Sequence, residues 1–208
     1  MKKTIIFDLD GTLVDIEPLF FNIFNSLASE FGYAPLRQTD IPLLKKFPLR
    51  KLVWQQLGWR MLWLPQILKR GREEYHTLIP KISLFPGIPE LLKTLHTNGL
   101  RIGIVSSSRK DTIRSIVTLH NLPIDFIYHS KLFNKAATLE QTLAREHLTL
   151  SETLYIGDEI RDVEACQKIG LDIIAVTYGL NDRQSLQATG AETIDTLQAL
   201  LARLMRKS

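Results

Sequence analysis

The amino-acid sequence predicts an α/β protein: a parallel sheet covered by helices on both faces, interrupted after its first strand by a small α-helical insert. Three observations carry that prediction. From Pro86 onward short apolar runs alternate with amphipathic helical stretches, and strands joined by helical crossovers lie parallel in one sheet. One further apolar strand, Ile5-Ile6-Phe7, is separated from that alternation by a long segment of helical periodicity. Side chains that carry chemistry fall at the carboxyl ends of the strands, the edge at which open α/β sheets take their ligands.

Lys3 to Asp8 forms the first strand. From Glu17 to Phe31 the apolar residues Leu19, Phe20, Ile23, Phe24, Leu27 and Phe31 recur at three- and four-residue steps, one face of a helix closed by Gly32. Arg37 to Pro80 has helical character, broken at Pro42, Pro48, Gly58, Pro65 and Gly71. It holds all the tryptophans, Trp54, Trp59 and Trp63, which are expected to form the insert's own core or its packing surface. After Pro86-Gly87 come a helix from Ile88 to Thr97 ended by Asn98-Gly99, a strand from Arg101 to Ser106, a helix from Lys110 to His120 and a strand from Ile124 to His129. Then follow a helix from Ala136 to Glu146, a strand from Thr153 to Gly157, a helix from Val163 to Ile169 stopped by Gly170, a strand from Asp172 to Thr177 and a last helix from about Thr196 to Arg206. Asp15–Pro18 and Pro80–Pro86 flank the insert and read as hinges, so residues 1–15 and 82–208 are expected to form the core and 16–81 the insert.

A chain of 208 residues, 45% hydrophobic and 23% charged, has the composition of an ordinary globular protein. Its one cysteine, Cys166, makes no internal disulfide, which fits a reducing compartment. Asp8 and Asp10 interrupt the N-terminal apolar run before a signal-peptide core forms, and no span reaches the ~20 apolar residues of a membrane helix. The cytoplasm and no membrane partner are the expectation. Between Arg37 and Lys81 ten Lys/Arg outnumber three acids, a surplus of +7 against −3 for the remainder. Such a basic segment suits an anionic partner, and a small phosphorylated metabolite satisfies it; no motif supports nucleic acid.

The most informative stretch is Asp8-Leu9-Asp10-Gly11-Thr12. In an extended segment side chains at i and i+2 share a face, so Asp8 and Asp10 are expected side by side, repelling each other unless a cation or a proton intervenes. A lone Asp-Gly reads as a hairpin turn, but here no second strand follows the glycine. Three more features sit at strand ends or helix starts: Ser106 closes Ile102-Gly103-Ile104-Val105, Asp158 closes Leu154-Tyr155-Ile156-Gly157, and Lys135 opens the helix before that strand. The histidines His76, His96, His120, His129 and His147 show no metal-ligand spacing and read as structural or surface residues.

In that order these features resemble the motifs of the haloacid dehalogenase (HAD) superfamily, and the resemblance covers nearly the whole chain. It implies a Rossmann-like core with a helical cap, most like the phosphoglycolate phosphatase and β-phosphoglucomutase group. It further implies magnesium-dependent hydrolysis of a small phosphate monoester through an aspartyl-phosphate. Asp8 is then the nucleophile and Asp10 the proton donor and acceptor; dehalogenase members lack the second aspartate. Ser106 and Ser107 would hold the phosphoryl oxygens together with Lys135, for which Lys131 is the alternative, because the family's usual Lys-Pro is here Lys135-Ala136. Gly157-Asp158-Glu159-Ile160-Arg161-Asp162 is similar to the fourth motif, which places magnesium on Asp158, an Asp8 oxygen and the Asp10 carbonyl. Asp162 supports the metal or caps the following helix, and Glu159 and Arg161 organise the acidic cluster or pair with each other. A phosphomutase and a non-catalytic regulatory protein are the alternatives, and a monomer or weak homodimer is expected.

Overall fold

The computed structural model describes residues 2–47, 57–131 and 134–206. Six parallel strands form one sheet in the order β3-β2-β1-β4-β5-β6: β1 Thr4–Phe7, β2 Arg101–Ser106, β3 Phe126–His129, β4 Thr153–Gly157, β5 Asp172–Val176 and β6 Glu192–Ile194. β1 is central because all its residues are buried, and a parallel strand covered on both faces needs apolar side chains on both. Alternation divides them. Ile5 and Phe7 pack with Leu92, Leu95, Ile113, Ile116 and Leu200, from helices α4 Ile88–Thr97, α5 Lys110–Leu119 and α9 Leu197–Met205. Ile6 faces the other way, against Leu139, Tyr155, Ala165 and Cys166, beneath helices α6 Lys135–Arg145 and α7 Ile160–Ile169. A further short helix, α8 Arg183–Gln187, precedes β6; neither element shows a clear periodicity in the sequence, and both were absent from the expected order. Truncating a side chain as well buried as Phe7 to alanine costs about 3–5 kcal/mol.

The insert contains α1 Glu17–Phe31, a short helix α2 Ile41–Leu44, and α3 Leu64–Thr77 preceded by a 3₁₀ segment Gly58–Trp63. α1 starts with a proline in its first turn and ends at Gly32, whose φ of 68° is left-handed. Expected breaks behave differently: Pro42 and Pro65 open α2 and α3 instead of ending helices, since the first turn needs no proline N–H. Gly71 lies inside α3, where a Cβ would meet Ile23 and Leu27 at 3.7 Å; it is a point of close approach to α1. Pro48 lies outside the described residues.

The tryptophan expectation is corrected as well. Trp59 and Trp63 are 71% and 49% exposed, and Trp54 lies outside the described residues. The insert's core is built from Leu27, Ala28, Tyr33, Leu57 and Ile67, smaller side chains that fit between closely packed helices. The two segments expected as hinges lie side by side, with the Asp15 N–H donating to the Ser83 carbonyl at 3.0 Å and the Phe85 N–H to the Leu13 carbonyl at 3.0 Å.

Candidate active site

Successive strands run outward from β1 to β2 and β3, then the chain returns to place β4 on β1's other side. That reversal opens a crevice beyond the strand ends, and Asp8 and Asp158 stand at its edges, 1% and 0% exposed. With Asp162, in the first turn of α7, they form an all-carboxylate group whose oxygens lie within 4.8 Å of one another. Two glycines make room. A Cβ would stand 2.1 Å from Asp158 Oδ2 on Gly11, which also has φ 85°, and 2.4 Å from it on Gly179. Thr12 Oγ1 donates to Asp158 Oδ1 at 2.7 Å and the Leu180 N–H to Oδ2 at 2.8 Å, fixing the carboxylate in place.

Lys135, the first residue of α6, is 5% exposed, with Nζ 3.3 Å from Asp8 Oδ1 and a second ion pair to Asp162. Lys131 is exposed. Asp162 uses both oxygens: Oδ1 takes Lys135, and Oδ2 accepts the Glu159 N–H at 3.2 Å at the start of α7. Glu159 and Arg161 pair with each other, and Arg161 Nη2 also reaches Ser107 Oγ at 3.4 Å. Ser106 is buried; its hydroxyl accepts the Ser108 N–H at 3.2 Å. The expected side-by-side aspartates take different partners, because the strand ends at Phe7 and the chain turns at Gly11. Asp8 joins the buried cluster, whereas Asp10 accepts from Tyr75 Oη at 2.5 Å and from Ser108 Oγ at 2.5 Å. No histidine joins the acidic group among the described residues.

Burial dominates the electrostatics. It pushes the Asp8 carboxyl up to about 7 against the attraction of Lys135, and raises Asp158 well above the carboxylate range, helped by Glu159, Asp162 and Asp8. Asp10 is also raised by burial, against the hydrogen bonds from Ser108 and Tyr75. For Lys135 burial opposes the charge, but Asp162 and Asp8 overcome it and hold the ammonium protonated. Asp8, Asp158, Glu159 and Asp162 thus outnumber Lys135 and Arg161 in a site shielded from water. Asp8 Oδ1 accepts no hydrogen bond among the described residues and has only the ion pair with Lys135. An all-oxygen donor set whose ionisation is opposed by burial and by the neighbouring acids suits a hard divalent cation, which favours the anionic forms.

The chain matches the haloacid dehalogenase-like hydrolase family over residues 5–176. It belongs to that family. This HAD-like hydrolase is a phosphatase, and the resemblance carried by its motifs is borne out. It is 36% identical to a phosphoglycolate phosphatase of Synechococcus elongatus, over 99% of this chain and 100% of that protein. A phosphoglycolate phosphatase of Aliivibrio fischeri is 26% identical over 96% of this chain and 95% of its own length. A solved HAD-like hydrolase of Streptococcus pneumoniae shares the fold with a TM-score of 0.84 at 24% identity, covering 98% of this chain and 99% of that one.

In this HAD-like hydrolase the insert faces the acidic crevice across a cavity of about 300 Å³. Phe20, Phe24, Leu44 and Leu68 line the insert side, and Asp10 and Arg161 the sheet side. Of the insert's basic residues only Lys45 and Arg72 line it among the described residues. Lys45 is already engaged, with Glu17 at 2.5 Å and the Gly179 carbonyl at 3.2 Å. Lys46, Lys69 and Arg70 are exposed, while Arg50 and Lys51 lie outside the described residues. Most of the described basic surplus is therefore a solvated face. Sequence reasoning missed Tyr75 and Ser108. Tyr75 is the one Phe, Tyr or Trp of the amphipathic helix α3 and reads there as an ordinary packing residue, and its partner Asp10 lies 65 residues away; Ser108 was visible only as the third serine of a run.

Proposed function

We propose that this enzyme hydrolyses a small phosphate monoester, of which phosphoglycolate is the first candidate, through an aspartyl-phosphate on Asp8. The observation that supports it is the buried Asp8 carboxylate at the tip of β1, 3.3 Å from Lys135 and grouped with Asp158 and Asp162. The names of its relatives point to the substrate. Asp8 attacks phosphorus while Asp10 protonates the leaving oxygen, and Asp10 then takes the proton of the water that releases Asp8. Ser106 has an unused proton, since its hydroxyl accepts from Ser108 and donates to no described residue; it and Ser107 are assigned to the phosphoryl oxygens with Lys135. Asp162 positions Lys135. Asp8, Asp158 and the Asp10 carbonyl would hold magnesium, which would neutralise the carboxylates against a dianionic substrate. Residues 16–81 act as the cap and 1–15 with 82–208 as the core.

The test measures phosphate release from phosphoglycolate and from p-nitrophenyl phosphate, with magnesium and with chelator, and seeks a phosphoryl group on Asp8 by mass spectrometry of quenched enzyme. Magnesium-dependent release and an adduct absent from Asp8→Asn are expected. Transfer to an added sugar phosphate without phosphate release would instead identify a mutase.

A further inference from the structure

The Asp10 carboxyl is held from two sides by donors mounted differently. Ser108 belongs to the loop after β2, its own N–H fixed on Ser106 Oγ at 3.2 Å. Tyr75 belongs to the insert: it lies near the end of α3, buried against Leu13, Val14, Ile79 and Ile82 where the insert rejoins the sheet. Any shift of α3 against the sheet therefore moves the phenol relative to Asp10, while Ser108 stays with the sheet edge. We propose that Tyr75 is a positioning residue for the acid–base step: by occupying Asp10 Oδ1 it confines the transferable proton to Oδ2, and it makes leaving-group protonation conditional on α3 being seated.

This inference rests on the reading of Asp10 as the acid–base group. A protonated carboxyl has one O–H to give, and which oxygen carries it depends on the partners of each. A phenol is protonated at neutral pH, so Tyr75, whose Oη lies 2.5 Å from Asp10 Oδ1, is a donor there and Oδ1 an acceptor. The Ser108 hydroxyl rotates and switches between donating and accepting, so Oδ2 tolerates both states of Asp10. In the first half-reaction the Asp8–phosphorus bond forms, the bond to the leaving oxygen breaks, and the Oδ2 proton passes to that oxygen. In the second, water adds to phosphorus, its proton returns to Oδ2, and the Asp8–phosphorus bond breaks.

Tyr75→Phe keeps the ring and removes the donor. The readout is kcat/KM, which covers the steps up to leaving-group departure, across phosphate monoesters from p-nitrophenyl to alkyl, all with magnesium. The p-nitrophenyl ester, whose leaving group departs without a proton, should stay within about threefold of wild type. The alkyl ester should fall about 10- to 100-fold, a part of the roughly 10²–10⁴-fold that general acid catalysis contributes, because Asp10 itself remains. Because the readout is a ratio between substrates on one preparation, partial loss of folded enzyme cancels. An equal fall across the series indicates a merely structural side chain and overturns the proposal, as does no fall at all. Asp10→Asn run in parallel separates the two ideas. A steep dependence there with a flat one in Tyr75→Phe rejects Tyr75 alone, and a flat dependence in both rejects Asp10 as the acid.

Discussion

Where the sheet meets the cleft, Asp8, Asp158, Glu159 and Asp162 are packed with Lys135 and Arg161; where the insert meets it, Phe20, Phe24, Leu44 and Leu68 look back. The two walls are not interchangeable. Buried charge is costly unless partners sit within a few ångströms in a fixed arrangement, and strand ends braced by neighbouring ladders supply that rigidity. The insert contributes the low-dielectric side, which strengthens every interaction across the cleft. The same contrast shows in two glycines. Gly11 has φ 85° and no room for a Cβ beside Asp158, whereas Gly71 sits in an ordinary helix with contacts at 3.7 Å.

Replacing Asp8, the proposed nucleophile, on the charged wall is the largest expected effect. Asp8→Asn should lower turnover of p-nitrophenyl phosphate by at least about 10⁴-fold, because the uncatalysed reaction is so slow. Its Tm in chelator should not fall, since the amide removes a carboxylate that burial already disfavours as an anion. A Tm well below wild type would make Asp8 a structural residue.

Next comes Gly11→Ala. A Cβ at 2.1 Å from Asp158 Oδ2 must displace the carboxylate, and the left-handed backbone adds strain. A magnesium requirement raised by about tenfold or more is expected, the size of effect that disturbing a metal site commonly has. An unchanged magnesium titration would remove Asp158 from the metal site.

A smaller effect links pH to metal. Asp8 is raised from 3.8 to about 7 without a cation, so between those values the folded protein binds more protons than the unfolded chain. The stability from this group is present below the unfolded value and is lost as pH rises through about 7. Magnesium binds the anion, so its Tm increment should be a few degrees larger at pH 8 than at pH 5. Equal increments would show that no buried carboxylate titrates with the metal.

Smallest is Gly71→Ala on the apolar wall. Alanine relieves the entropy cost of glycine inside a helix, about 0.5–1 kcal/mol, and the neighbouring contacts are of ordinary van der Waals length. Denaturation should shift to higher stability with kcat on p-nitrophenyl phosphate little changed. Loss of stability instead would mean that α1 and α3 pack more tightly than their spacing shows.

Much of the sheet was legible residue by residue. Arg101–Ser106, Thr153–Gly157, Ile88–Thr97 and Glu17–Phe31 have the bounds expected from periodicity and their glycine stops. β6 and α8 were not legible, because three and five residues are too short to establish a period. The insert's tryptophans were misplaced for a different reason: hydrophobicity says that a ring gains from burial, not whether helices leave space for it.

By itself the sequence determined the fold class, the family motifs and which strand ends carry Asp8, Ser106 and Asp158, since these depend on periods of a few residues and on residue type. Only the tertiary structure decided that Lys135 and not the exposed Lys131 stands against Asp8, that Asp162 bridges Lys135 and the start of α7, and that Tyr75 reaches Asp10. Those outcomes depend on where distant elements meet. A contact across 65 residues leaves no periodic trace in the chain, because the packing that creates it is set by the sheet order and the seating of α3.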